Sequence, residues 1–324
     1  MLPQLEKGRA ALAILSFRVP EAYDGSRLDS FLREQYQVSG TVLKRAKRIP
    51  GGLLMDGTPL RTIDPVRSGA LVTLDTGAEE RLYIPCGLDV SVLYEDEAMV
   101  VFNKPPGIPS HPSKGHRDDT MTNVFAAREE TRGLVYRPVN RLDKDTSGIL
   151  IVAKHAHAAS ALKNAIQKTY LALVCGRGLP DEGTVDGPID RCEPGGQRRA
   201  VLEGGKPAVT HFWTLARGGA HALVRLRLET GRTHQIRVHM AHIGHPLSGD
   251  ALYGGDGLMA RQALHCSELE LLHPLQRRRI DRFAPPPEDF RNAALCAIGE
   301  KALAFLSGGD RAGGGYHDGN EAKE

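Results

Sequence analysis

Apolar positions recur along the chain at two periods, and the changes of period divide it into three pieces. In the first, from about Phe17 to Leu74, Leu28, Phe31 and Leu32 lie at helical spacing behind Ser26, which is placed to cap a helix. Ser39 opens a second helical stretch through Ile49. At about 100° per residue, Val42, Leu43, Ala46 and Ile49 share one arc of it, and Lys44, Arg45, Lys47 and Arg48 share the opposite arc. Pro50, Gly51 and Gly52 stop that helix. Leu53–Met55, Asp56-Gly57 and a second short strand then read as a hairpin, because Asp-Gly supplies the positive φ angles of a type I′ turn. Leu71–Leu74 is a further strand.

The second and longest piece holds Gly148–Ala153, a continuous apolar run that fits a strand buried on both faces. The polar Asp143–Ser147 stretch before it has turn composition. If residues 141–143 are extended, Arg141 and Asp143 share a face. An alanine-rich helix including Ala161, Leu162, Ala165 and Ile166 precedes a strand on which Tyr170, Ala172 and Val174 face one way. Leu223–Leu228 alternates as a strand. Thr233 is placed to cap a helix ending at Gly244, with Ile236, Met240 and Ile243 as its inward stripe. The last piece is polar and glycine-rich, with Gly313–Gly315, and is expected to be disordered. The boundaries expected are 15–76 for a small domain, 77–87 for a linker, 88–305 for the large domain and 306–324 for the tail.

Composition changes this picture little. Of 324 residues, 41% are hydrophobic and 25% charged, which suits a globular protein, and the net charge of +3 permits a nucleic-acid partner without demanding one. The five cysteines (Cys86, Cys175, Cys192, Cys266, Cys296) are scattered, with no C-x-x-C pair, as expected of a reducing cytoplasm and against a zinc ribbon. No apolar run approaches the roughly 20 residues that span a bilayer. Residues 10–15 are too short for a signal core.

Three segments could hold chemistry. Asp143 is a carboxylate on a loop held by a rigid strand, a common setting for an active-site acid, although a turn aspartate that caps backbone N–H groups would look the same. Arg232 and Arg237 stand at the start of the Thr233 helix, and a guanidinium directed at a buried carboxylate keeps it ionised and oriented. His234, His239, His242 and His245 lie in the same stretch, but without a carboxylate pattern beside them; they read as polar surface and capping groups, and no metal is expected. Tyr170, read alone, is a strand tyrosine packing in a core.

Together these segments resemble the RluA family of pseudouridine synthases from about Leu88 to Phe290. One family block stands here as Arg141-Leu-Asp-Lys-Asp-Thr-Ser-Gly148 and the other as Gly231–His239, without a gap. Weaker marks include Tyr94–Glu97, Asn103–Pro105, His111–Ser113, Gly205–Ala208, Gly249-Asp250, Leu264-His265, His273-Pro274 and Pro287–Phe290. Where the family usually has His before Arg-Leu-Asp, this chain has Asn140, which can still hydrogen-bond locally. The first piece resembles the small RNA-binding domain first named from ribosomal protein S-four, through Arg27–Leu32, Leu43–Arg45, Met55–Gly57 and Gly69–Val72; residues 49–52 depart from its usual acidic–glycine turn.

The resemblance implies an α+β pseudouridine synthase fold with a central mixed, largely antiparallel sheet, plus the small α/β RNA-binding domain. It implies Asp143 as the catalytic aspartate and Arg141 as the arginine that enters the RNA stack. Tyr170 would lie against the uracil, and Arg237, with Arg232 second, would pair with the aspartate. Lys44, Arg45, Lys47 and Arg48 would bind phosphates. No cofactor is expected, because the product is an isomer of the substrate. Ribosomal RNA of the large subunit is the expected partner, with transfer RNA the alternative, and a cytoplasmic monomer with no membrane partner is expected. A non-catalytic RNA-binding factor and a metal-dependent hydrolase are the competing readings.

Overall fold

The computed structural model describes residues 14–77, 83–113, 115–163 and 165–307. Residues 1–13, the tail from 308 onward and part of the expected linker lie outside the described residues.

The chain begins with β1 (Ile14–Arg18), where Leu15 and Phe17 point inward and their neighbours outward. In α1 (Leu28–Tyr36), Leu28, Phe31 and Leu32 are buried as their spacing predicts. Ser26 does not cap it. Arg27 is still extended and bridged to Pro65, so the cap position falls one residue later than expected. Ser39 does cap α2 (Gly40–Ala46): its Oγ accepts from the Val42 N–H at 3.3 Å. That helix stops at Ala46, short of Ile49. Gly52 there passes so near that a Cβ would stand 2.1 Å from the Ala46 carbonyl oxygen, an approach only glycine allows. Between β2 (Leu53–Met55) and β3 (Thr58–Pro59), Asp56 and Gly57 have φ of 49° and 81°, as the type I′ reading requires. β4 (Leu71–Asp75) completes a sheet of order β1-β4-β2-β3, with both helices packed on it through one core.

The chain continues through β5 (Val92–Glu95), β6 (Met99–Lys104), α3 (Met121–Ala127), β7 (Arg137–Pro138), β8 (Ser147–Ala153), α4 (Ala156–Leu162) and β9 (Ile166–Cys175). The alanine-rich helix ends at Leu162, and Ile166 already opens the strand. The β-branched and aromatic residues from Ile166 to Tyr170 favour a pleated surface over another helical turn. Then come β10 (Glu182–Asp186), β11 (Ile189–Arg191), β12 (Arg199–Val201), β13 (Val209–Gly218), β14 (His221–Leu228), α5 (Gln235–His242), β15 (Leu264–Leu272), β16 (Arg279–Phe283) and α6 (Glu288–Ile298).

These elements form two compact units, Met1–Tyr170 with Leu264–Ala284, and Leu171–Ala263 with Pro285–Glu324. The first unit contains the small sheet and the strands β15-β8-β6-β5, with β16 on β15 and β7 on β8. The β15–β8 pair is parallel and the others antiparallel, so the sheet is mixed and largely antiparallel. All seven residues of β8 are buried, as its unbroken apolar run predicts. In the second unit β10-β13-β14 form an antiparallel sheet, and α6 packs Phe290, Ala294 and Ile298 against Leu173 and Leu223. Among the described residues no helix is long and apolar enough to cross a membrane. All five cysteines are free.

Candidate active site

In the first unit, Asp143 lies half-buried on the loop that leads into β8, and four fixed groups hold that loop. Asn140 is buried; its Nδ2 donates to the Ile149 carbonyl at 2.9 Å and its Oδ1 accepts from the Ile151 N–H at 2.8 Å. One side chain thereby takes the place of a strand neighbour for β8. The Ser110 hydroxyl donates to the Leu142 carbonyl at 2.7 Å and accepts from the Leu142 N–H at 3.1 Å. The Lys104 ammonium, fully buried, donates to the carbonyls of Pro105, Ile108 and Lys144, each at 2.8 Å. The Thr146 N–H closes the turn onto the Asp143 carbonyl at 3.1 Å. A buried charge with three acceptors is anchored firmly, so the loop's position is set by the sheet.

Around this loop, Arg141 is exposed, while His111 packs edge-on to Tyr136. Burial first, and the Arg141 charge second, lower the His111 pKa and favour its neutral form.

β15 runs beside β8, with His265 opposite Ser147 and Cys266 opposite Gly148. Gly148 has φ +107°, and a Cβ there would stand 2.1 Å from the Cys266 carbonyl oxygen, so the two strands can pass only because this residue is glycine. His265 bridges Ser147 Oγ at 2.9 Å and the Ala284 carbonyl at 2.9 Å. Since a carbonyl can only accept, Nε2 holds the proton and Nδ1 accepts from Ser147.

Tyr170, buried on β9, lies beside the buried Cys266 thiol and within the electrostatic reach of Asp143. Burial chiefly, then Cys266 and the Asp143 charge, raise the Tyr170 pKa well above that of a free phenol. The phenol is therefore neutral throughout the physiological range. Burial likewise pushes the Cys266 thiol up to about 11, against the opposing pull of Lys168 and Tyr170. Asp143 and Tyr170, which the sequence placed in separate segments, thus come together in one unit.

The second unit holds the arginine block. The N-terminus of α5 is not capped by Thr233; the cap position is His234, in the left-handed region at φ 60°. Gln235 closes the helix entrance instead. Its Oε1 accepts from the Arg232 N–H at 2.9 Å and the Thr230 hydroxyl at 2.8 Å, and its Nε2 donates to the Val209 carbonyl and Thr210 Oγ1. Arg237 is buried, forming a bidentate pair with Asp250 at 2.7 and 2.9 Å, with the Tyr253 ring 5.1 Å from its guanidinium carbon. Arg232 is exposed, its Nε donating to the Pro207 carbonyl at 2.9 Å. His239, expected on the surface, is fully buried between Thr210 Oγ1 and the Gly187 carbonyl, both at 2.9 Å. Thr210 on β13 and the Gly187 carbonyl between β10 and β11 supply the polar partners that account for that inward turn.

Of the four basic residues on the small sheet's second helix, Lys44, Lys47 and Arg48 are exposed and Arg45 is half-buried; Lys47 and Arg48 lie past the helix end. Lys104 and Asp250 stand in the sequence only as fragments of motifs, without a role, and Ser110 stands in none. Their function is to hold the loop and the guanidinium, and no spacing rule exposes a contact of that range.

A family model described as RNA pseudouridylate synthase matches residues 98–242. A protein of Xylella fastidiosa, "Ribosomal large subunit pseudouridine synthase D", is 38% identical over 89% of this chain and 93% of its own length. The protein of that name from Xanthomonas campestris is 39% identical over 84% and 89%. Among solved structures, "Human RNA Pseudouridylate Synthase Domain Containing 1" shares 27% identity and a TM-score of 0.52, covering 61% of this chain and 84% of that one. With this likeness along most of its length, and both arginine-bearing blocks intact, the chain belongs to the RluA-type family of RNA pseudouridine synthases.

Proposed function

We propose that this RNA pseudouridine synthase acts through Asp143, against a uridine that rests on Tyr170, and that its substrate is large-subunit ribosomal RNA. The observation that supports it most is the fixed Asp143 loop, with a neutral, buried Tyr170 in its electrostatic field.

The reaction is an isomerisation. The C1′–N1 bond of uridine breaks, the uracil turns, and C1′ bonds to C5. The proton on C5 is lost and N1 gains one, so atoms and electrons balance within the nucleotide and a proton exchange with solvent. An ionised carboxylate starts the cleavage. Tyr170, held protonated by burial, suits a stacking platform and a hydrogen-bond donor rather than a base for the C5 proton. Arg237 has the role of an oriented cation, and its Asp250 grip together with the Tyr253 ring fixes the guanidinium plane. Arg141, exposed beside the loop, would fill the gap left in the RNA when the target leaves its stack, at a cost of a few kcal/mol offset by stacking and backbone contacts. Lys44, Arg45, Lys47, Arg48 and Arg232 would contact phosphates, which position RNA without reading sequence.

The large-subunit assignment rests on the names of the similar bacterial proteins. Pseudouridine mapping of total RNA from cells lacking the gene, rescued with wild type or Asp143→Asn, tests both parts. The expected result is one or a few missing sites in large-subunit ribosomal RNA, restored by wild type alone. Restoration by both proteins would remove the catalytic role from Asp143, and missing sites confined to transfer RNA would overturn the substrate.

A further inference from the structure

Away from Asp143, three side chains from distant stretches of the second unit converge. Cys175 ends β9, His221 begins β14, and Asp256 sits in the segment between α5 and β15. One ligand atom from each lies within 4.8 Å of the other two. We propose that these three residues form a binding site for a zinc-type divalent cation.

The donor set is the argument. A thiolate, an imidazole nitrogen and a carboxylate oxygen are the three protein ligands zinc accepts, at about 2.0–2.3 Å, and tetrahedral geometry would hold them roughly 3–4 Å apart. The three atoms lie within 4.8 Å of one another, and the His221 Nε2 to Asp256 Oδ2 distance, 2.5 Å, has to open. Asp256 is oriented for the task. Its Oδ1 accepts from the Ser248 hydroxyl at 2.6 Å and from the Leu258 N–H at 3.2 Å, which turns Oδ2 towards His221. The His221 and Asp256 side chains are 19% and 36% exposed, which admits an ion and leaves the fourth position to water.

The position suits a structural staple. The Gly249 N–H donates to the Asp256 carbonyl at 3.1 Å and the Gly255 N–H to the Asp250 carbonyl at 2.9 Å, so Asp256 closes the loop whose Asp250 grips Arg237. An ion at Asp256 would tie that loop to the end of β9 and the start of β14. The isomerisation itself involves no step at this site.

Cobalt(II) titration of the full-length, EDTA-treated protein tests the proposal, because cobalt replaces zinc and reports a sulfur ligand by near-ultraviolet charge-transfer absorption. One equivalent is expected to produce that band, and zinc to abolish it. Cys175→Ser is expected to lose the band, while Cys192→Ser with Cys296→Ser retains it. Ser248→Ala, which frees the carboxylate it orients, is expected to bind about 10–100-fold more weakly. Asp256→Asn serves as a second ligand variant, and far-ultraviolet circular dichroism verifies that each variant is folded. No band at one equivalent, or wild-type cobalt binding in either folded ligand variant, would show a hydrogen-bonded cluster and overturn the proposal.

Discussion

Lys104 anchors the Asp143 loop, although it is remote in sequence from Asp143. Its ammonium is fully buried and serves three carbonyls, including that of Lys144, the residue next to the aspartate. Replacing it with methionine keeps the volume and removes the charge, leaving buried acceptors without a donor at about 1–3 kcal/mol each. The loop should then relax, and a displacement of an ångström at a reacting group costs on the order of 100-fold in rate. Lys104→Met is therefore expected to lower kcat on an RNA substrate by about 10–100-fold while KM changes little. Steady-state kinetics on the folded variant decide it: an unchanged kcat would mean that Asn140 and Ser110 alone position Asp143. Asn140 shows why the usual histidine can be absent here. Its amide donates to the Ile149 carbonyl and accepts from the Ile151 N–H, the pair of roles that a neutral imidazole would also fill.

At the scale of elements, α2 yields a separate expectation. Lys44, Lys47 and Arg48 are exposed at its end, where they can neutralise phosphates. Changing all three to glutamine should weaken RNA binding and reduce the slope of log affinity against log salt by about 2–3, since each phosphate left without its cation removes roughly 0.7–0.9 from the slope. A filter-binding series in rising salt gives the slope directly, and a slope equal to wild type would assign these residues to solvated surface. The same elements show where sequence is readable. Ser39, the Asp56-Gly57 turn and β8 announce themselves because their signals are local: a cap, a pair of positive φ angles, an unbroken apolar run. The start of α5 is hidden because its cap comes from within the helix, from Gln235, whose partners lie on β13. His239 is misleading for the same reason, since polarity suggests water until Thr210 on β13 and Gly187 in the β10–β11 connection supply partners. Asp143 can be proposed from a motif block and Tyr170 from the family resemblance of its strand, whereas Lys104 and Asp250 acquire meaning only from hydrogen bonds across long sequence separations.

For the whole molecule, stability against pH is set in part by two histidines the reaction does not use. His155, at the entrance of α4, and His157 within it are stacked with ring centroids 6.0 Å apart, and Phe17 of β1 meets His157 edge-on. Among the described residues, both His157 nitrogens and His155 Nε2 are buried without a hydrogen-bond partner. Burial foremost pushes His157 down to about 4; for His155 burial, then the charges of His157, Arg137 and His273 against that of Asp96, push it to about 3. An unfolded histidine titrates near about 6.5, so between that pH and the folded values the unfolded chain binds protons that the folded chain refuses. Their contribution to stability is whole above about 6.5 and is lost as pH falls towards 4 and then 3. For His157 the loss across that window is on the order of 3 kcal/mol. Leucine at 157 has nothing to protonate and leaves no ring nitrogen unpaired. His157→Leu is thus expected to match or exceed wild-type stability at pH 7, by up to about 2 kcal/mol, and to lose less between pH 6.5 and 4.5. Urea unfolding of both proteins across that range measures the difference. Parallel pH profiles would mean that the histidine is already charged or solvated in the folded state, whereas a constant offset above pH 6.5 and divergence below it would identify the neutral, buried ring as the source of acid sensitivity.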